Sequence, residues 1–380
     1  MILISILFYI YIICIFSFVI GFDRIKEYKK TTTSLKTAFS VIIPFRNEAK
    51  NLPKLLQSIS ELDYPKELVE FIFVDDDSID DSVNVITSHQ EATQLNLDSN
   101  QTTISIITNT RVSNSPKKDA ITTALKKAKN NWIITTDADC IIPKNWLITI
   151  DAFIQQHNCN MIVAPVSYSS NSTFLQQFQS LDFMSLQAST IGGFGIKIPF
   201  LSNGANLIYR KDVFEKVNGF EGNDSMASGD DVFLLEKFLQ LKKEKVQYLK
   251  SKEVIVKTHP VSSFTKLIQQ RVRWASKTSN YNLSTGKLIG IIVILGNTII
   301  AIAPGLVLLK MIALKTYVSF YLLKLFFDFL LLERIASFEN KKIDFTTYLK
   351  SNLVYPYFTI LIFIKALFSN YQWKDRTFKM

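Results

Sequence analysis

The run MILISILFYIYIICIFSFVIGF, residues 1–22, carries no charged side chain before Asp23. A stretch that long and that apolar is suited to a bilayer, where a lone segment satisfies its backbone only by closing into a helix. A cleaved signal peptide would need a basic start and a small-residue cleavage site, and the run shows neither. Arg24, Lys26, Lys29, Lys30 and Lys36 follow directly. Cations clustered beside a span face the cytoplasm, so a cytoplasmic domain anchored at the inner membrane is expected after residue 22. Further apolar stretches near 288–313, 316–333 and 353–369 make 288–369 a second membrane region, followed by a basic tail over 370–380. Three full spans there would put that tail outside, against the same rule, so one stretch is expected to be re-entrant or interfacial. Lys324 and Asp328 lie i,i+4 inside the middle stretch and are expected to pair within the bundle.

Between the apolar ends the pattern changes. FSVIIPF precedes NEAKNLPKLLQSIS, LVEFIFVDDD precedes DDSVNVITSHQ, TISIIT precedes KKDAITTALKKA, and NWIITTDAD precedes NWLITIDAFIQQ. Continuous apolar runs alternating with helical ones predict an α/β domain whose parallel sheet is covered on both faces. Ligands bind such sheets outside the carboxyl ends of the strands. Acids stand at those ends twice, as Asp75–Asp76–Asp77 and as Asp137 and Asp139. Residues 95–103 read as a polar loop.

The formal net charge is +10. Many of the lysines flank apolar spans, where anionic headgroups account for them, and no nucleic-acid signature accompanies them. Nucleic acid is therefore not an expected partner. Cys14, Cys140 and Cys159 are too few and too scattered for a disulfide framework. His157 and Cys159 lack two further ligands for a zinc site.

Two acids in an Asp-x-Asp pair offer hard oxygens to Mg²⁺ or Mn²⁺, which keep positions open for diphosphate oxygens. They could equally cap a helix or form a turn. The acids of VDDDSIDDS suit base or ribose recognition, with Asp80 or Asp81 as helix N-terminal acids. SGDDVFLLEKF places two more acids before a helical run. QQRVRW sets two guanidinium groups, suited to phosphate, beside an indole on an amphipathic helix.

In order and spacing, IIPFRNE, VDDDS, DAD, NGAN, GDDVFL and QRVRW together resemble the family 2 glycosyltransferases of the GT-A fold, over roughly residues 38–280. The resemblance implies a Rossmann-like catalytic domain flanked by transmembrane helices. Residues 38–165 would be the nucleotide-sugar-binding half and 166–280 the acceptor half, ending in an interfacial helix. It also implies that Pro44, Arg46 and Glu48 line the nucleotide pocket, that Asp76 contacts the base, and that Lys118 contacts the nucleotide. Asp137 and Asp139 would hold the metal, with Asp139 the more direct ligand. Asp231 would be the catalytic base beside Asp230, and Gln270, Arg273 and Trp274 would match Q-x-x-R-W and close over the donor diphosphate. The implied reaction is an inverting transfer from a nucleotide sugar, with UDP the common carrier, to a membrane lipid or glycolipid acceptor; a processive polysaccharide synthase is the alternative. Asp77 stands where the family most often has Gly, Ile79 where it often has Thr, and Pro116 where Gly is common. Gly229–Asp230–Asp231 replaces the Thr-Glu-Asp of processive polymerases. A nucleotidyltransferase would need a glycine- and cation-rich phosphate loop, which IIPFRNEAKN is not. A non-catalytic membrane scaffold would leave the acids unexplained.

Overall fold

The computed structural model describes residues 2–30, 34–94, 103–169, 172–223, 226, 228–277, 284–368, 371–373 and 376–378. Of the polar stretch 95–103, only Thr103 lies among them; of the tail 370–380, only 371–373 and 376–378 do. The chain begins with helix α1 (Ile2–Arg24), strand β1 (Phe39–Phe45), α2 (Leu52–Ser60), β2 (Val69–Asp75), α3 (Ser82–Gln94), β3 (Thr103–Thr108) and α4 (Pro116–Leu125). It continues through β4 (Trp132–Thr135), α5 (Trp146–Gln156), β5 (Met161–Val163), β6 (Val166–Tyr168), α6 (Phe174–Gly195), β7 (Leu207–Arg210), α7 (Lys211–Lys216) and α8 (Val232–Lys242). Then come β8 (Val246–Tyr248), β9 (Val256–Thr258), α9 (Phe264–Ser276), α10 (Ser284–Leu308), α11 (Leu314–Phe338), α12 (Phe345–Phe368) and an antiparallel pair, β10 (Tyr371–Trp373) with β11 (Arg376–Phe378). Two compact units result: a sheet unit from 27–169 and 201–259, and a helical unit from 1–26, 170–200 and 260–380. Helices α6 and α9, grouped with the catalytic segment in the sequence, thus belong to the unit that holds the apolar helices.

In the sheet unit, seven strands run in the order β3-β2-β1-β4-β7-β5-β8. The first four are parallel, with Ile42 opposite both Ile72 and Thr135, and the buried Ser40 hydroxyl of β1 donates to Glu70 of β2 at 2.6 Å. The sheet is mixed, not wholly parallel: β7 runs antiparallel between β4 and β5. Strand reversal has a consequence for the site. Because Leu207 pairs with Thr135, the residues entering β7 lie beside the carboxyl end of β4. A small parallel pair, β6 with β9, completes the unit.

Asp151 on α5 is fully buried and ties the approach to β1 onto the sheet. Its carboxylate accepts from the Lys36 amide at 3.0 Å, the Tyr64 hydroxyl at 3.0 Å, the Gln155 amide at 2.9 Å and the Thr37 hydroxyl. Burial, and then the Asp151 charge, push the Tyr64 hydroxyl well above its ordinary range, so it remains a donor. Asp151→Ala is expected to destabilise the sheet unit by about 3 kcal/mol, because several buried donors lose their acceptor together. Thermal unfolding of the full protein checks this; an unchanged melting temperature would show that water replaces the carboxylate.

Within the helical unit, α1, residues 285–308 of α10, and α12 are long and apolar enough to cross a membrane. Helix α11 is not among them, although residues 316–333 read as a span. It carries Lys324, Asp328, Glu333 and Arg334. The Lys324 ammonium, fully buried, sits 2.5 Å from Asp328, whose second oxygen accepts from the Tyr11 hydroxyl at 2.6 Å. The expected i,i+4 pair is therefore present, and it also fastens α11 to α1. Helix α1 crosses α6 at bare backbone. A Cβ on Gly21 would lie 2.1 Å from the Gly192 carbonyl oxygen, and one on Gly195 would lie 1.8 Å from that of Gly21. Only glycine permits that approach.

Candidate active site

The carboxyl ends of β1, β2 and β4 gather most of the acids and bases singled out in the sequence. After β1, Asn47 has φ +53° and donates its amide to Ser78, while its side-chain oxygen accepts from the Ile79 amide at 2.9 Å. Asp80 accepts from the Ala49 and Ser82 amides at 3.1 Å each. Burial raises its pKa, but those hydrogen bonds and that of the Ser82 hydroxyl outweigh burial and hold the carboxyl below its usual range. The two loops are thereby stitched together. Glu48 accepts from the Asn51 side chain at 2.6 Å, and Pro44 is a strand residue in register with Val74.

Arg46 does not stand alone in this pocket. Its guanidinium donates to the Asp76 carbonyl at 2.7 Å and to the Asp77 carbonyl, and pairs with the Asp77 carboxylate at 3.3 Å. Asp76, buried, accepts from Asn109 and from Arg111, both at 2.7 Å. Asp77 has φ +65°, a conformation that suits glycine, which explains why a Gly is usual at this place in the resemblance. Arg111 was missed in the sequence because the loop carrying it, past β3, has no periodicity to mark it.

At the tip of β4, Lys117 is the organising cation. Its ammonium lies 2.7 Å from Asp137 and 3.1 Å from Asp230. Burial alone would lower its pKa, yet the charges of Asp137, Asp230 and Asp231 drive it well above the ordinary lysine range. Lys118, chosen from the sequence, turns elsewhere. It is buried, donates to the backbone carbonyls of Asn223 and Met226, and lies 5.1 Å from the centre of the Phe233 ring. Spacing did not separate the two lysines, since 117–121–124 and 118–121–125 are both helical stripes leading to buried residues of α4.

The NGAN segment enters β7 beside these groups. Asn206 is fully buried and donates to the carbonyls of Pro165 and Val254 at 2.8 Å each, while accepting from the Trp146 indole at 3.1 Å. The Thr135 hydroxyl donates to the Gly204 carbonyl at 2.9 Å. A Cβ on Gly204 would meet the Asp230 carboxylate at 2.6 Å and the Lys117 ammonium at 3.2 Å. Gly204→Ala is therefore expected to push that ion pair apart and lower transfer by up to about 10²-fold with little loss of fold. Steady-state rates beside a melting curve check this, and wild-type turnover would show that the pair has room to shift.

Asp231 is the N-cap of α8, accepting from the Val232 amide at 2.7 Å. Asp139 accepts from the Thr258 hydroxyl at 3.3 Å, at the end of β9. His259 follows, with its Nδ1 2.6 Å from the Ser169 hydroxyl. Burial, then the Lys54 charge, lower its pKa. It is one of three histidines, and a lone His-Pro after a strand was the available signal. Gln270, Arg273 and Trp274 lie on α9 of the helical unit. There Gln270 accepts from Arg271 at 2.6 Å and Trp274 stacks under that guanidinium.

Among the described residues, no three His, Cys, Asp or Glu side chains converge as a caged metal would need. A pair of carboxylates one residue apart, with Asp137 partly exposed, instead suits a hard ion that keeps water and phosphate oxygens. The donor set fits Mg²⁺ or Mn²⁺.

The description Glycosyl transferase family 2 matches residues 40–217, and Glycosyl transferase family group 2 matches residues 132–369, more than half of the chain. The chain belongs to glycosyltransferase family 2. It is 24% identical over 247 residues to the glycosyltransferase AglE of Haloferax volcanii, covering 63% of this chain and 73% of that protein. It is 31% identical over 125 residues to the poly(ribitol-phosphate) beta-N-acetylglucosaminyltransferase TarS of Staphylococcus aureus, covering 33% of this chain. The match spans only 20% of the length of TarS. Among solved structures, the mannosyltransferase PcManGT from Pyrobaculum calidifontis, held with GDP-Man and Mn²⁺, superposes with a TM-score of 0.57 at 16% identity over 97% of each chain. That likeness establishes the GT-A fold. A nucleotide-sugar donor, inversion and metal dependence are typical of that family.

Proposed function

We propose that this glycosyltransferase transfers a sugar from a nucleotide sugar, UDP-linked by preference, to a lipid or glycolipid acceptor in the membrane, with its sheet unit in the cytoplasm. The observation that carries the acceptor class is the union of this fold with three span-length helices among the described residues. Such an anchor keeps the enzyme at the surface where a lipid-linked hydroxyl or phosphate resides. The basic run from Arg24 to Lys36 supports the orientation. With α1, α10 and α12 as the spans, the chain after α12 returns to the cytoplasmic side, which removes the conflict that three C-terminal spans would create.

In the proposed reaction Asp231 takes the proton of the acceptor hydroxyl as its oxygen attacks the anomeric carbon. The bond from that carbon to the donor diphosphate breaks, and the nucleoside diphosphate leaves from the opposite face. A single displacement of this kind inverts the centre. General-base assistance contributes about 10²–10⁴-fold. Asp76 and Arg111 would hold the nucleoside, with Pro44, Arg46 and Glu48 shaping the loop around it. Asp139 and Asp137 would hold a divalent cation, which when bound supplies charge neutralisation for the departing diphosphate. Lys117 keeps Asp137 and Asp230 in place. For Gln270, Arg273 and Trp274 the support is the Q-x-x-R-W pattern itself.

The decisive experiment screens UDP- and GDP-sugars with purified protein in native lipid extract, with and without Mn²⁺ or Mg²⁺. Label moving from one donor into the organic phase is the expected result. Label in a high-mass aqueous product would replace this reading with a polysaccharide synthase, and no donor consumption at all would remove the proposed activity.

A further inference from the structure

Helix α9 owes its setting to one side chain that the Q-x-x-R-W pattern does not name. Arg271 is buried, and its Nε donates to the Asp182 carboxylate of α6 at 2.5 Å. Its Nη1 donates to the Gln270 side-chain oxygen at 2.6 Å, and the guanidinium carbon sits 4.1 Å from the centre of the Trp274 ring. Two edges and one face of the planar guanidinium are thus engaged at once, which the arginine fork allows. Helix α6 supplies the counterparts in succession. Gln179, fully buried, exchanges hydrogen bonds with the backbone of Val261 just before α9, and Phe183 lies 6.1 Å from the Trp274 ring. Helix α12 closes the arrangement. Phe358 and Ile362 pack with Leu267 and Val272, and the Tyr355 hydroxyl lies near the Asp182 carboxylate. Tyr355 also lies 5.7 Å from the Lys324 ammonium that pairs with Asp328 and, through it, Tyr11. A chain of polar contacts therefore runs from α1 through α11 and α12 to α6 and α9.

We infer that Arg271, oriented by Asp182, is a positioning residue that presents the Gln270 amide and the Trp274 indole in the geometry transfer requires, and so ties that geometry to the membrane helices. The inference rests on the proposed role of the Q-x-x-R-W residues. An ion pair serving stability alone would need neither the grip on Gln270 nor the stack on Trp274.

Arg271→Lys keeps the charge opposite Asp182 and removes the fork. In full-length protein in lipid nanodiscs, this variant should lose about tenfold or more in kcat, with donor KM changed far less. Trp274 emission, isolated by subtracting the Trp274→Phe spectrum from each parent, should shift. The double variant Asp182→Glu with Arg271→Lys lengthens the acid to meet the shorter base. It should restore the melting temperature and leave kcat low, whereas a purely structural pair would restore both. Wild-type kcat and unchanged Trp274 emission in Arg271→Lys would overturn the inference, as would recovery of kcat in the double variant. If the unaltered protein transfers no sugar while Trp274 emission still shifts, the grip of Arg271 on Trp274 stands and the transferase reading of α9 falls.

Discussion

Asp231→Asn should lower transfer by about 10²–10⁴-fold while leaving donor binding and the fold in place. The substitution is unusually clean because of where the residue sits. Asp231 caps α8, its side chain accepting from the Val232 amide. Asparagine caps a helix about as well as aspartate, so the helix start survives and only the basic carboxylate is lost. Asp230→Asn is the necessary comparison. Its carboxylate lies 3.1 Å from the Lys117 ammonium. Asp230→Asn should therefore act mainly through the ion pair, with a smaller loss in kcat and a lower melting temperature. Rates under saturating donor, together with donor binding by calorimetry, separate the two. Wild-type turnover in Asp231→Asn, with collapse in Asp230→Asn at full donor occupancy, would transfer the role of base to Asp230.

The parts of this site that were legible in the sequence are those fixed by local pattern. Apolar runs ending in acids placed Asp76, Asp137 and Asp139 at strand tips, and the strands FSVIIPF and TISIIT form over those residues. What local pattern could not supply was the antiparallel entry of β7, which depends on a return from α6 and brings Gly204 against Lys117 and Asp230. The same limit hid Arg111, Thr258 and His259, whose meaning comes from neighbours distant in the chain. It also explains α11. Hydropathy marked residues 316–333 as a span, but pairing between Lys324, Asp328 and Tyr11 shows a helix whose charges are matched inside a bundle. The Lys324–Asp328 pair is legible at i,i+4; the Tyr11 hydroxyl of α1 on Asp328 is a tertiary contact, which no window of sequence displays.

Lys117→Met should reduce transfer by about 10²-fold and cost about 3–5 kcal/mol in stability, the usual penalty for removing one member of a buried charge cluster. The ammonium is 2.7 Å from Asp137 and 3.1 Å from Asp230, so its loss leaves two carboxylates facing each other without the cation that joined them. A lysine whose folded pKa is raised contributes stability fully below its unfolded value, near 10.4, and loses it only as pH climbs through the raised folded value. The stability difference between wild type and variant should accordingly be flat from about pH 6 to 9 and shrink only at strongly alkaline pH. A second substitution separates folding from chemistry. Lys117→Met with Asp230→Asn removes one of the two opposed charges, so the melting temperature should recover much of its loss. Transfer should not recover, because Asp137 is still without the contact that holds it at the tip of β4. Recovery of both would reduce Lys117 to a counter-charge for Asp230; recovery of stability alone makes it the residue that sets Asp137 in place for the donor.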